Sequence, residues 1–218
     1  MKFFELFYKY LPTYLDAMVI TIEVTLMSLA IATVLGIIFC LFKLSKFKLL
    51  QFLSDTYLSI IRGTPLVVQI LFIFFGLPMA FGFKWQIMVV SVVILSLNAG
   101  AYMTELIRGG IEAVDKGQME AARSLGLSYG QAMRKIVLPQ AVRTMLPSII
   151  NQFIVTLKDS SLLSFFGLRE LVQNTRIIVS NNMEYFIMYA IVGIYYWVIV
   201  SILTAAAKMI EKRTTYGK

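Results

Sequence analysis

The sequence predicts an all-α, polytopic membrane protein with five transmembrane helices in a single domain, residues 1–218, and three observations predict it. The mean hydropathy is +0.79 and only 15% of residues are charged, too few to cover a soluble domain of this length. Four uncharged runs, 24–42, 63–83, 86–104 and 185–207, approach or exceed the ~20 residues a helix needs to cross a bilayer. A fifth run, 146–168, is interrupted only by Lys158 and Asp159. These runs place spans at about 17–42, 57–82, 86–107, 140–167 and 185–208, with one polar segment at about 112–137. No removed signal peptide is expected, because the first apolar run starts well inside the chain and lacks a small-residue cleavage site.

The net charge of +8 raises the question of nucleic acid, and its distribution answers it. With five spans, 14 of the 20 basic residues fall on one side: three in 43–48, Arg62, six between Arg108 and Arg143, and Lys208, Lys212, Arg213 and Lys218. The positive-inside rule makes that side cytoplasmic, so the N-terminus is expected outside and the C-terminus inside. The basic excess reports topology, and no nucleic-acid partner is expected.

Histidine is absent, which excludes a Ser-His-Asp triad, a Cys-His pair and a His-ligated metal. Cys40 is the single cysteine and has no internal partner. No GxxxxGK[ST] loop is present, so the chain is not expected to bind ATP in that way. With no histidine and no convergent catalytic set, it is not expected to be an enzyme.

In the first span Ser28, Ala32, Gly36 and Cys40 recur at four-residue spacing, a stripe of small side chains that lets another helix approach closely. Glu23, near the outer end, is expected to face protein or water. After the short inside loop "KLSKFK", residues 49–61 have mixed polarity and suit an interfacial approach to the second span. In "RGTPLVVQ", 62–69, Gly63 and Pro65 predict that a helix starts or kinks. The third span ends "NAGAYMTELIRGG", 98–110. Glu105 and Arg108 share a helix face there, and two roles fit them: a mutual pair, or positioning of the following loop. Asn98 lies deeper and is a candidate for lining a pathway.

The polar segment carries a full set of helix signals. Asp115 with Gln118, and Ser128 with Gln131, each read as an N-cap with its reciprocal partner. Met119, Ala122 and Leu125 are expected on one side of the first helix, and Gly126 is the expected left-handed residue that ends it. Ala121 and Ala122 leave no bulk against an approaching surface. Two roles fit two short helices joined in this way, an ordinary interfacial pair or a docking knob for a cytosolic partner. The length of more than thirty residues and the complete cap signals favour the knob.

Here the sequence resembles a known family. "EAARSLGLSYGQAMRKIVLP", 120–139, matches the EAA pattern of ABC-importer permeases: the three residues Glu120, Ala121 and Ala122, then Gly126, then Ile136-x-Leu138-Pro139. "RGTPLVVQ", "GAYMTELIRGGIEAVDKGQ" and "LKDSSLLSFFG" extend the resemblance over nearly the whole chain, which looks like a permease of the polar amino acid uptake family. The resemblance implies a type I importer fold and a multi-pass location in a bacterial plasma membrane. It implies that Glu120, Ala121, Ala122, Leu125, Gly126 and Pro139 form a coupling element docked on a cytosolic ABC ATPase. That partner would bind the ATP, leaving this chain without a cofactor. An external amino acid-binding protein would deliver the solute, and a second permease subunit, identical or homologous, would complete the pathway.

The fourth span contains Lys158, Asp159 and Ser160. A bare charge near the bilayer centre costs ~2.5–3.5 kcal/mol, so Lys158 is expected to face protein or water. Two roles fit the Lys158–Asp159 pair: a site for a zwitterionic substrate, or a structural network with neighbouring helices. The outside segment "GLRELVQNTRIIVSNNMEY", 167–185, fits an interfacial helix or part of a docking platform. A self-sufficient channel or secondary carrier is the competing function, and the absence of an internal repeat weighs against it.

Overall fold

The computed structural model describes residues 2–215, with side chains to Met209. Lys212, Arg213 and Lys218, counted in the charge asymmetry, lie outside the described side chains. Every regular element among the described residues is helical. They are α1 (Lys2–Leu44), α2 (Lys48–Gly63), α3 (Leu66–Leu71), α4 (Leu77–Phe81), α5 (Ile87–Glu112), α6 (Lys116–Ser124), α7 (Tyr129–Ala132), α8 (Leu138–Asp159), α9 (Leu171–Asn182) and α10 (Tyr185–Thr215). Five-residue π-turns join α3 to α4 (Phe72–Gly76) and α7 to α8 (Met133–Val137), and a 3-10 segment, Ser160–Phe166, extends α8.

The helix α1 begins at Lys2, well before the predicted membrane entry at about 17, and runs for 43 residues. Its first part has an apolar face of its own: Leu6, Tyr14 and Ala17 are buried against Leu171, Ile178, Met188 and Tyr195 of α9 and α10. Tyr14 stacks on Tyr195 with ring centroids 4.8 Å apart, and its hydroxyl lies 3.1 Å from the Thr175 hydroxyl. Pro12 interrupts one backbone bond on the exposed side, and this packing holds the helix together across it.

The core runs along α5. Ser28, Ala32, Gly36 and Cys40 of α1 are all buried, as the small-residue stripe predicts. A Cβ at Gly36 would stand 2.8 Å from the Met103 Cβ, and one at Gly100 would stand 2.8 Å from the Tyr57 hydroxyl. Small residues therefore set the distance between α1, α2 and α5.

The second predicted span is not one straight helix. It breaks at Thr64, and α2 and the α3–α4 stretch meet at a bend of 106°. Pro65 has no N–H and pushes Thr64 into an extended conformation (φ −122°, ψ 145°), which ends α2 where the sequence predicts a kink. Both π-turns have the same cause. Pro78 and Pro139 each sit two residues past the end of a π-turn, and the widened turn relieves the clash of the proline ring with the carbonyl four residues back.

Three helices, α1, α5 and the described part of α10, are long and apolar enough to cross a membrane, and the bent pair makes a fourth if taken as one span. The 22 residues of α8 contain Arg143, Lys158 and Asp159 and fall short of that apolarity.

Candidate functional site

The polar segment is a hairpin locked at each end. Asp115 caps α6 through the Gly117 N–H, at 2.6 Å. The expected reciprocal bond from Gln118 does not form. Gln118 instead accepts from the Gln140 amide at 3.3 Å, which ties α6 to the start of α8. Gly117 makes the short cap possible, because a Cβ there would lie 2.8 Å from the Asp115 carboxylate. The second capping box forms completely: the Gln131 N–H donates to the Ser128 hydroxyl at 3.3 Å, and the Ser128 N–H to the Gln131 oxygen at 2.9 Å.

Gly126 is left-handed, with φ +85°. Around it the Leu127 N–H reaches the Ala122 carbonyl (3.2 Å) and the Gly126 N–H reaches the Arg123 carbonyl (3.0 Å), the paired bonds of a Schellman ending. Each good cap stabilises a helix end by ~1 kcal/mol, so the hairpin is held from within.

The expected grouping of Met119, Ala122 and Leu125 on one side holds only in part. Ala122 is buried and faces its own hairpin, so it leaves no small surface for a partner. Leu125, the C-cap of α6, still bonds the Ala121 carbonyl through its N–H at 3.1 Å but is 84% exposed, so it does not join the buried side. Glu120, Ala121, Gly126 and Pro139 are exposed with it. Beneath this face a cavity of about 530 Å³ lies between the end of α5, α6 and the π-turn, lined by Val114, Met119, Tyr129 and Met133 among others.

An ion network forms the root of the hairpin. Arg108 donates to Glu105 at 2.7 Å and to Glu112, the last residue of α5, at 2.6 Å. Both carboxylates raise the pKa of Arg108 above its ordinary value. Arg62, at the end of α2, stands 3.9 Å from Glu105. The two roles left open for Glu105 and Arg108 coincide, since the pair fixes the helix end from which the hairpin leaves.

The four pathway candidates lie in different surroundings. Asn98 is buried and donates to the Gln69 oxygen at 3.0 Å. Ser160 is buried and its hydroxyl donates back to the Leu157 carbonyl at 2.7 Å. Lys158 is exposed and Asp159 half-buried at the last turn of α8, and neither enters an ion pair among the described residues. No hydrogen bond links Asn98 to the other three among the described residues.

Two polar groups of the interior have roles that sequence reasoning did not find. The Gln69 amide donates to the Ile61 carbonyl (2.7 Å), the Thr64 carbonyl (3.1 Å) and the Thr64 hydroxyl (3.1 Å), and so closes the bend between α2 and α3. Its place, four residues after Pro65, is the hint the sequence offers. Glu170 is fully buried and caps α9 through the Val172 and Gln173 N–H groups at 2.9 and 2.7 Å, and it accepts from the Tyr196 hydroxyl at 3.0 Å. Burial pushes its carboxyl up to about 7, although these three donors pull it down. Its burial comes from α10, far along the chain.

Residues 32–216 match the family described as binding-protein-dependent transport system inner membrane component, a match that includes the last third of α1, the hairpin and every later helix. The chain is 38% identical over 203 residues to the arginine transport system permease protein ArtQ of Bacillus subtilis (strain 168), covering 93% of each. It is 35% identical over 213 residues to a putative glutamine transport system permease protein GlnP of Rickettsia bellii (strain RML369-C), covering 96% of this chain and 98% of that one. The crystal structure of an amino acid ABC transporter with histidines aligns at a TM-score of 0.92 and 37% identity, over 96% of this chain and 98% of that one. An inward-facing MetNI methionine transporter shares the fold, at 15% identity and a TM-score of 0.72. The chain belongs to the inner membrane components of binding-protein-dependent transport systems, and within them it groups with amino acid ABC transport permeases.

Proposed function

We propose that this chain is the membrane-spanning subunit of an ATP-driven amino acid importer of type I fold. Two such subunits, identical or homologous, enclose the translocation pathway. The hairpin around Gly126 docks on a cytosolic ABC ATPase, which binds the ATP. An extracytoplasmic binding protein delivers the solute. Five spans place the N-terminus outside and the C-terminus in the cytoplasm, with α8 as the fourth span.

The observation that carries this proposal is a knob that is rigid inside and exposed outside. Two caps and a Schellman ending hold α6 and α7, while Glu120, Ala121 and Leu125 stand free on their outer face. A lever that transmits force needs both properties. The names of the relatives, for arginine and glutamine, support an amino acid as the solute. Lys158 and Asp159, exposed and half-buried at the end of α8, are the pathway residues assigned to its charged ends.

The test is reconstitution. The chain alone should hydrolyse no ATP. In vesicles with its ATPase and binding protein, hydrolysis should rise with one or a few members of an amino acid panel, and uptake should follow it. Uptake by the chain alone, without ATPase, would establish the carrier or channel function instead.

A further inference from the structure

Away from the hairpin, α1, α5, α8 and α10 leave an open cavity of about 340 Å³, lined by Leu29, Met103, Ile150, Phe153, Leu203 and Ala206 among others. Thr33 is the single hydroxyl in this lining, and it donates to the Leu29 carbonyl of its own helix at 2.8 Å. The surface therefore offers an occupant contact area and no free hydrogen-bond donor. At ~1.5 Å per residue, Met103 lies ~8 Å from Arg108, Ile150 ~10 Å from Arg143 and Thr33 ~15 Å from Lys43. All three cations stand on the proposed cytoplasmic side. Leu29, four residues beyond Thr33, lies ~21 Å from Lys43, so the cavity occupies the cytoplasmic leaflet, ~15 Å deep, and reaches a little past the midplane.

The three cations differ. Lys43 is bonded to Asp55, and Arg108 to Glu105 and Glu112. Arg143 is exposed and enters no ion pair among the described residues. It precedes Ile150 by seven residues, two helical turns, and so shares the face of α8 that lines the cavity. A guanidinium matches a phosphate through two parallel hydrogen bonds.

We propose that this groove holds one acyl chain of an anionic phospholipid from the cytoplasmic leaflet, with its phosphate against Arg143. The proposal rests on the orientation given under the proposed function. Failure of that orientation would appear in cysteine labelling, independently of lipid retention.

The test is native mass spectrometry of the whole complex, extracted from vesicles of equal parts phosphatidylglycerol and phosphatidylcholine. The wild type should retain phosphatidylglycerol in preference. Arg143→Gln should reduce that preference about fivefold, equivalent to ~1 kcal/mol for a charge near the membrane surface. Ala206→Phe, which fills the groove, should remove the retained lipid while the ATPase stays bound; Ala207→Leu serves if that variant fails to assemble. Equal lipid retention by the wild type and a filled variant would overturn the proposal, as would a preference unmoved by Arg143→Gln. A disulfide between two copies carrying Ala206→Cys and Cys40→Ala would also overturn it, since a second permease subunit would then cover the groove.

Discussion

The Asn98 amide donates to the Gln69 side chain at 3.0 Å, and Gln69 in turn caps two carbonyls freed where α2 breaks, those of Ile61 and Thr64. One α5 residue therefore orients the group that closes the 106° bend. Gln69→Leu keeps the volume and removes the donor, leaving the half-buried Ile61 carbonyl and the buried Asn98 amide unpaired at a cost of ~1–3 kcal/mol. Its expected effect is a lower denaturation midpoint of the complex. Asn98→Ala should cost less, because Gln69 keeps its bonds to the bend. A Gln69→Leu protein as stable as the wild type would show that the bend needs no cap.

Gly126 separates shape from contact. A Cβ at this position would meet nothing within 4 Å, so any harm from a side chain comes from the left-handed backbone itself. Gly126→Val should cost at least the ~1–2 kcal/mol of left-handed geometry, whereas Gly126→Asn should be nearly neutral. In the reconstituted complex the valine variant should insert and bind substrate but weaken ATPase docking or uncouple hydrolysis from uptake. Normal transport by the valine variant at normal expression would mean that the hairpin is not the coupling element.

Lys158 makes no side-chain hydrogen bond or ion pair among the described residues. Lys158→Met should therefore leave the amount of folded, ATPase-bound protein unchanged and abolish uptake. A fall in assembled complex would place Lys158 at the contact with the second permease subunit. Unchanged uptake at normal abundance would remove it from both roles.

Glu170 gives a pH dependence of definite sign. Its folded pKa of about 7 exceeds its ordinary 4.5, so the folded state holds the proton more tightly than the unfolded one. The resulting stability is complete below 4.5, is lost as pH climbs through about 7, and is level above that. Its size is on the order of 3 kcal/mol at most. The melting temperature of the complex should fall over that interval in the wild type, and Glu170→Gln should lack this component. Parallel curves for the two proteins would show that Glu170 is ionised throughout.

Orientation has a direct test. In a Cys40→Ala background, Ser45→Cys should be protected from an impermeant maleimide in intact cells and Lys84→Cys should be labelled. Labelling of the Ser45 variant from outside would invert the topology.

Features set by near neighbours were legible in the sequence. The Ser128 box, the left-handed Gly126 and the break at Pro65 depend on residues within a turn or two, and the stripe from Ser28 to Cys40 shows in its four-residue period. The errors arose where a distant partner decided the outcome. Gln118 leaves its cap for Gln140 across the hairpin. Leu125 keeps the helical bond to Ala121 but is exposed, because no described element packs over it. Glu170 is enclosed by α10, which no local pattern around it announces.

The π-turn at Met133–Val137 sets a phase. The Leu138 N–H reaches back five residues to the Met133 carbonyl, so this turn holds one residue more than an α-turn. One residue corresponds to ~100° of rotation and ~1.5 Å of rise. Rewinding the turn to α geometry would swing everything on its hairpin side by that angle relative to everything toward Lys158. Pro139, which the α form would force against the Lys135 carbonyl, holds it unwound. The azimuth of the Glu120 face relative to α8 is thus indexed by a proline nearly twenty residues away along the chain.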